Sequence, residues 1–128
     1  ETRVWLGDSM GEMPAYFSVA DIALIGGTLL PFGGQNLIEA AACGCPVLVG
    51  PHTFNFLQAT EDSIACGAAK RVDNADEAAS AVEALLEDRE ALHAMREAAL
   101  SFSQAHRGAT ARTMALIRGV MARQEIPE

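Results

Sequence analysis

The sequence predicts an α/β domain built on a parallel sheet, and three observations predict it. Two short unbroken apolar runs, Ile22-Ala23-Leu24-Ile25 and Val47-Leu48-Val49, have the character of strands buried on both faces. Between them lies a glycine-rich loop that passes into a helix start, Gly26-Gly27-Thr28-Leu29-Leu30-Pro31-Phe32-Gly33-Gly34-Gln35-Asn36. The second half of the chain carries apolar residues at spacings of three and four, the period of a helix packed on one side. The order strand, loop, helix, strand is that of a doubly wound α/β unit, whose ligands lie at the carboxyl ends of the strands.

The elements follow in order along one domain, residues 1–128. Val4-Trp5-Leu6-Gly7 reads as an opening strand, and Gly11 to Phe17 as a short helix whose first turn tolerates Pro14. After Asp21 comes the first buried strand. A helix is expected from Asn36 through Leu37, Ile38, Glu39 and the alanines to Cys43; Gly44 ends it and Pro46 prevents its continuation before Val47–Val49. Asn55 to Cys66 is a further helix stopped by Gly67, and Ala68 to Val72 an edge strand. Val82, Leu85 and Leu86 define one face of the helix after Asp76. Leu92, Met95, Ala99 and Phe102 define the next, and Met114, Ile117, Val120 and Met121 a last one beyond Gly108. Such stripes are expected to be core.

The loop between the two strands holds the chemistry. Glycine has no Cβ, so the backbone N–H groups of Gly33 and Gly34 are able to approach a phosphate that a larger residue would hold away. The helix starting at Asn36 adds free N–H groups and the positive end of its dipole. Glu39, one turn in, stands beside the loop, where a carboxylate can accept two hydrogen bonds from a ribose diol. Phosphate donors with a diol acceptor describe a nucleotide site. Each part also has a plainer reading: paired glycines make ordinary turns, Asn36 caps any helix, and Glu39 is a first-turn acid that the dipole stabilises.

Composition narrows the function. A net charge of −8, with nine Lys plus Arg against seventeen acids, argues against nucleic acid as a partner. Much of the acid lies between Asp73 and Glu97 and reads as a solvated face. No apolar run reaches the roughly 18 residues of a membrane span. Three cysteines, an odd number, do not make a disulfide framework, and Cys43-Gly44-Cys45 with His52 is too sparse for zinc. Cys43 and Cys66 read as small core residues, and His93 and His106 as surface or packing residues. No metal site is expected.

Gly11-Glu12-Met13, the run from Gly26 to Glu39, and Gly50-Pro51-His52-Thr53-Phe54-Asn55-Phe56 resemble the C-terminal half of the 3-deoxy-D-manno-octulosonic acid (Kdo) transferases, over about the first two thirds of the chain. The resemblance implies a GT-B glycosyltransferase, two Rossmann-like three-layer α/β/α domains facing a cleft, with this chain as the domain that binds the donor CMP-Kdo. It implies donor contacts at Met10, Gly11 and Glu12 in the first loop and at Asn36, Leu37, Ile38 and Glu39 at the helix start, beside Gly33 and Gly34. The family usually has His where this chain has Gln35, which leaves open any role for an imidazole there. The resemblance also implies a start within a longer protein, in keeping with the opening Glu1-Thr2-Arg3. The catalytic carboxylate, the lipid A precursor acceptor and the attachment to the cytoplasmic face of the bacterial inner membrane then belong to the N-terminal part. The terminal helix would cross back onto that part, leaving some of its apolar face uncovered here; the piece itself would be soluble. No cofactor is implied beyond the donor substrate. Two other functions fit the same residues: a UDP-sugar-dependent GT-B transferase or epimerase domain, and a non-enzymatic nucleotide-binding module. A phosphate-receiver module, however, needs clustered acids at a strand end, and Asp8 alone follows Val4–Gly7.

Overall fold

The computed structural model describes residues 3–124. Three strands, β1 (Ala23–Leu24), β2 (Val47–Val49) and β3 (Ala69–Arg71), form a parallel sheet in the order β1-β2-β3. The register sets Ala23 opposite Val47, and Val47 opposite Ala69. Helix α1 (Met13–Val19) precedes the sheet, α2 (Ile38–Ala42) joins β1 to β2, and α3 (Leu57–Ala65) joins β2 to β3 behind a 3₁₀ turn at Phe54–Phe56. Helices α4 (Ala75–Glu87), α5 (Arg89–His106) and α6 (Ala109–Gln124) follow.

Alternation along β2 divides the core into two. Val47 and Val49 point into a cluster with Phe17 of α1, Leu37, Ala40 and Ala41 around α2, and Ala99 and Phe102 of α5, with Ala59 and Ile64 of α3 against it. Leu48 points the other way, into Val72, Ala78, Ala81 and Leu85, with Leu92 and Met95 against them. Helices therefore cover both faces, and the α/β/α layering is present. The strand order shows no reversal, because successive parallel strands laid side by side put α2 and α3 on one face. The second face is covered by α4 and the first half of α5.

Local chemistry explains the boundaries. Asn74 caps α4 by accepting the Glu77 N–H at 2.9 Å, and Asp88 caps α5 by accepting the Ala91 N–H at 2.9 Å. Gly44 at φ +66° and Gly67 at φ +81° end α2 and α3 as the sequence suggests. Arg96 of α5 donates to Asp21 at 2.9 Å and so holds the helix against the entry to β1.

Four expectations need correction. Val4, Trp5 and Leu6 form no strand and are 81–84% exposed, because among the described residues no neighbouring strand takes up their backbone groups. On α4 the buried face is Ala78, Ala81 and Leu85, and Leu86 is half exposed. The stripe of α6 is not the core that its periodicity suggests, since Met114, Ile117, Val120 and Met121 are all exposed, in keeping with what the resemblance implies. Cys66 is exposed, Cys43 half-buried and Cys45 fully enclosed, and burial pushes the Cys45 thiol above its ordinary range. His93 is exposed, and His106 packs on the Phe102 ring with 4.1 Å between centroids.

These environments order the thiols. Iodoacetamide at neutral pH, read by peptide mass spectrometry, is expected to label Cys66 first, Cys43 more slowly, and Cys45 only after denaturant is added. Native labelling of Cys45 at the rate of Cys66 would contradict the packing of β2.

Candidate functional site

The site begins where β1 runs out. The Ile25 N–H still pairs with the Leu48 carbonyl at 3.0 Å, after which Gly26 and Gly27 leave the sheet. Gly27 sits at φ +73°, and its carbonyl accepts the Gly34 N–H at 3.0 Å, closing an eight-residue loop from 27 to 34. Inside the loop Thr28 is buried and donates its hydroxyl to the Ile25 carbonyl at 2.6 Å, while its own carbonyl accepts the His52 N–H at 2.9 Å. A Cβ on buried Gly50 would collide with that carbonyl, so the chain leaving β2 lies directly against the chain leaving β1.

Gly33 and Gly34 differ from expectation in what they do. Both are buried, at φ +87° and +82°. A Cβ on Gly33 would collide with the Phe54 ring and stand 2.6 Å from Asn55 Nδ2, and one on Gly34 would stand 2.8 Å from Thr28 Cγ2. The glycines thus let two loops nest. The Gly34 N–H is committed to Gly27 and is not free for a phosphate.

The helix starts later than the sequence suggests, at Ile38, with Leu37 at its cap position. Asn36 still caps it through the side chain: Oδ1 accepts the Ile38 N–H at 3.0 Å, which removes that donor too from a ligand's reach. Asn36 Nδ2 reaches Glu39 Oε1 at a long 3.5 Å, and Glu39 is exposed in the first turn. Leu37 is 1% exposed, within the core, and Ile38 is half-buried against it; neither lines the cavity at the end of β1. They anchor the turn that presents Asn36 and Glu39.

Gln35, Asn36 and Glu39 meet at an open cavity of about 460 Å³. Its other walls are Met13 and Phe17 of α1 and Leu24, Ile25 and Gly26 at the carboxyl end of β1. Met10, Gly11 and Glu12 do not line it. Met10 is 97% exposed, Gly11 turns at φ +80°, and the Glu12 carboxylate accepts the Ser9 hydroxyl. They form the turn that leads into α1, one residue ahead of Met13. Sequence reasoning missed Met13 and Phe17 as cavity walls. Their spacing of four, just after Gly11 and around Pro14, was the available signal, since it puts both on one side of a helix. Among the described residues no group of three or more His, Cys, Asp or Glu is placed to hold a metal ion.

A cavity outside the carboxyl end of a parallel strand, with a carboxylate and an amide at its mouth, is the arrangement by which open α/β domains take small ligands. The chain belongs to the glycosyl transferases group 1 family, whose pattern residues 1–102 match. It is 52% identical over 111 residues to a 3-deoxy-D-manno-octulosonic acid transferase of Bordetella pertussis, covering 87% of this chain and 26% of that protein. It is 37% identical over 123 residues to the enzyme of the same name in Haemophilus influenzae, covering 95% of this chain and 29% of that protein. The chain thus spans under a third of the length of these relatives. Among solved structures it resembles the C-terminal CMP-Kdo binding domain of WaaA from Acinetobacter baumannii, with a TM-score of 0.76 and 31% identity over 80% of this chain and 54% of that one.

The nested loops make a stability prediction. Gly50→Ala is expected to lower the melting temperature by several degrees, about 1–3 kcal/mol, because the new methyl meets backbone rather than a yielding side chain. Gly119→Ala in α6, where a Cβ meets nothing within 4 Å, should leave it unchanged or raise it. Equal melting temperatures for wild type and Gly50→Ala would disprove the close approach.

Proposed function

We propose that this chain is the donor-binding domain of a Kdo transferase, holding CMP-Kdo while Kdo passes to a lipid A precursor in lipopolysaccharide biosynthesis. The observation that carries the reading is the convergence of Gln35, Asn36 and Glu39 on one cavity at the end of β1, in a chain 52% identical to a protein of that name. The likeness to a CMP-Kdo binding domain supports the same donor.

Transfer breaks the bond from the sugar's anomeric carbon to the CMP phosphate oxygen and forms one to the acceptor oxygen, whose proton passes to a base. The donor brings its own leaving group, so the domain's work is to hold it and to stabilise the charge that develops on the departing phosphate. In this reading Glu39 accepts from the ribose diol and Asn36 Nδ2 donates to the phosphate. Gln35, with a donor and an acceptor, takes the place that His has in the family. Met13 and Phe17 form an apolar wall for the pyrimidine side, with Met10, Gly11 and Glu12 at its rim. Gly33 and Gly34 shape the loop beneath. The base, the acceptor site and attachment to the inner membrane fall to the N-terminal part of the whole protein. No helix of the described residues is long and apolar enough to cross a membrane.

Two experiments test this. Hydrogen bonds to charged groups are worth about 1.5–3 kcal/mol each, so Glu39→Gln is expected to weaken CMP binding roughly 10- to 150-fold. Wild type should prefer CMP over 2′,3′-dideoxy-CMP by calorimetry, and the variant should scarcely distinguish them. Equal preference in both proteins would remove Glu39 from the site. The second concerns metal: CMP affinity is expected to be the same with and without EDTA. Loss of binding on chelation, restored by Mg²⁺, would replace the side-chain account of phosphate recognition with a metal-bridged one.

A further inference from the structure

We infer that Asn55 is a positioning residue for this cleft: it clamps the loop that carries Gln35 and Asn36, and thereby sets where Asn36 and Glu39 stand. The inference rests on the reading of the cleft as the donor site and names the residue that keeps it in shape.

Asn55 lies in the 3₁₀ turn after β2 and does not line the cavity. It nevertheless binds three consecutive carbonyls of the loop after β1. Its backbone N–H donates to Gly33 at 3.1 Å, and its side-chain Nδ2 donates to Phe32 at 3.1 Å and to Gly34 at 3.4 Å. Two of those carbonyls belong to left-handed glycines, which no helix or strand ladder serves, so their partner has to come from elsewhere in the fold. The two Nδ2 protons match the two outer carbonyls, and the backbone N–H takes the middle one. The residues after Gly34 are Gln35 and Asn36, both walls of the cavity, and Asn36 in turn caps the turn that presents Glu39. The loop's other fastenings, Gly34 to Gly27 and His52 to Thr28, close its neck. Among the described residues, Asn55 is the one whose side chain donates to the carbonyls of Phe32 and Gly34. Aspartate is the informative replacement, because it keeps the shape but puts an acceptor oxygen in place of the Nδ2 that donates to both carbonyls.

Asn55→Asp and Asn55→Ala are compared with wild type by amide hydrogen exchange of the ligand-free chain and by CMP titration. Both variants should exchange faster over residues 33–39 with residues 47–49 unchanged, and should bind CMP about tenfold more weakly, Asn55→Asp more weakly than Asn55→Ala. Unchanged exchange over 33–39 in Asn55→Asp overturns the clamp. Faster exchange throughout the sheet, with the CMP affinity of the folded fraction intact, marks Asn55 as merely structural and overturns it equally. Should Asn55→Asp fail to fold, Asn55→Ala decides by the same two measurements. If wild type itself does not bind CMP, the donor-site reading falls, and the exchange pattern alone judges the clamp.

Discussion

Strand β2 is the element whose two edges and two faces are all occupied, and the rest of the molecule is arranged around that constraint. On one edge the Ala23 and Ile25 N–H groups donate to the carbonyls of Pro46 and Leu48, at 2.9 and 3.0 Å. On the other, Val72 donates to Val49 at 2.9 Å. Val47 and Val49 fill one core and Leu48 the other, all three at 0–1% exposure. A strand in this position has no room for a polar side chain or a shift of register, since a slip of one residue would exchange its two faces. Because β2 fixes β1, it also fixes the point at which β1 ends, and the cleft opens there.

What the cleft can recognise is then a question of relative strength. An α-helix dipole is worth about 0.3–1 kcal/mol to an anion at an exposed end, and α2 has only five residues from which to build one. Two of the backbone donors around its start, those of Gly34 and Ile38, are engaged within the protein. Charge-assisted hydrogen bonds from side chains, at about 1.5–3 kcal/mol each, outweigh that term. On the proposed reading, selectivity would therefore fall to Asn36 and Glu39, and the backbone's part is to hold them. Gly33 and Gly50 serve this second purpose, their missing side chains letting the loops after β1 and β2 lie against each other, while Gly34 lets its own loop pack on Thr28.

The elements legible in the sequence were those whose signal is local. An apolar run of three or four, a glycine at a helix end and a period of three and four are fixed by neighbouring residues, and β1, β2, the ends of α2 and α3 and the buried face of α5 all followed. What was misread depends on partners that a local pattern does not name. Val4–Leu6 has strand composition but no strand beside it among the described residues, and the stripe on α6 has the same period whether or not something covers it. In the site, Asn36 and Glu39 were legible because cap and first-turn positions carry their chemistry with them. The role of Gly33 was not, since it is set by Phe54 and Asn55, some twenty residues away. Leu37 and Ile38 belong to the family motif, but Leu37 lies in the core and Ile38 is half-buried against it, so their part in the site could not be read from side-chain chemistry alone.

The charges of the proposed site would give a bound nucleotide its direction. The chain carries −8 overall, but the acids of α4 and α5 from Asp76 to Glu97 lie on helices that cover the Leu48 face, while the cleft is built from α1, α2 and the end of β1. At physiological salt such charges are screened within about 8 Å, so the groups that count for an anionic ligand are those at the cleft itself. There, the Glu39 carboxylate accepts from hydroxyls and repels phosphate, while Asn36 Nδ2 is a donor that a phosphate oxygen can accept from. They are joined by a 3.5 Å contact, too long to be strong, which a bound nucleotide would replace. In the proposed donor site, a nucleotide would lie with its ribose toward Glu39 and its phosphate toward Asn36. That orientation requires the two side chains to keep their spacing, and the spacing is set by the loop between Gly27 and Gly34 and by the residues that brace it from behind.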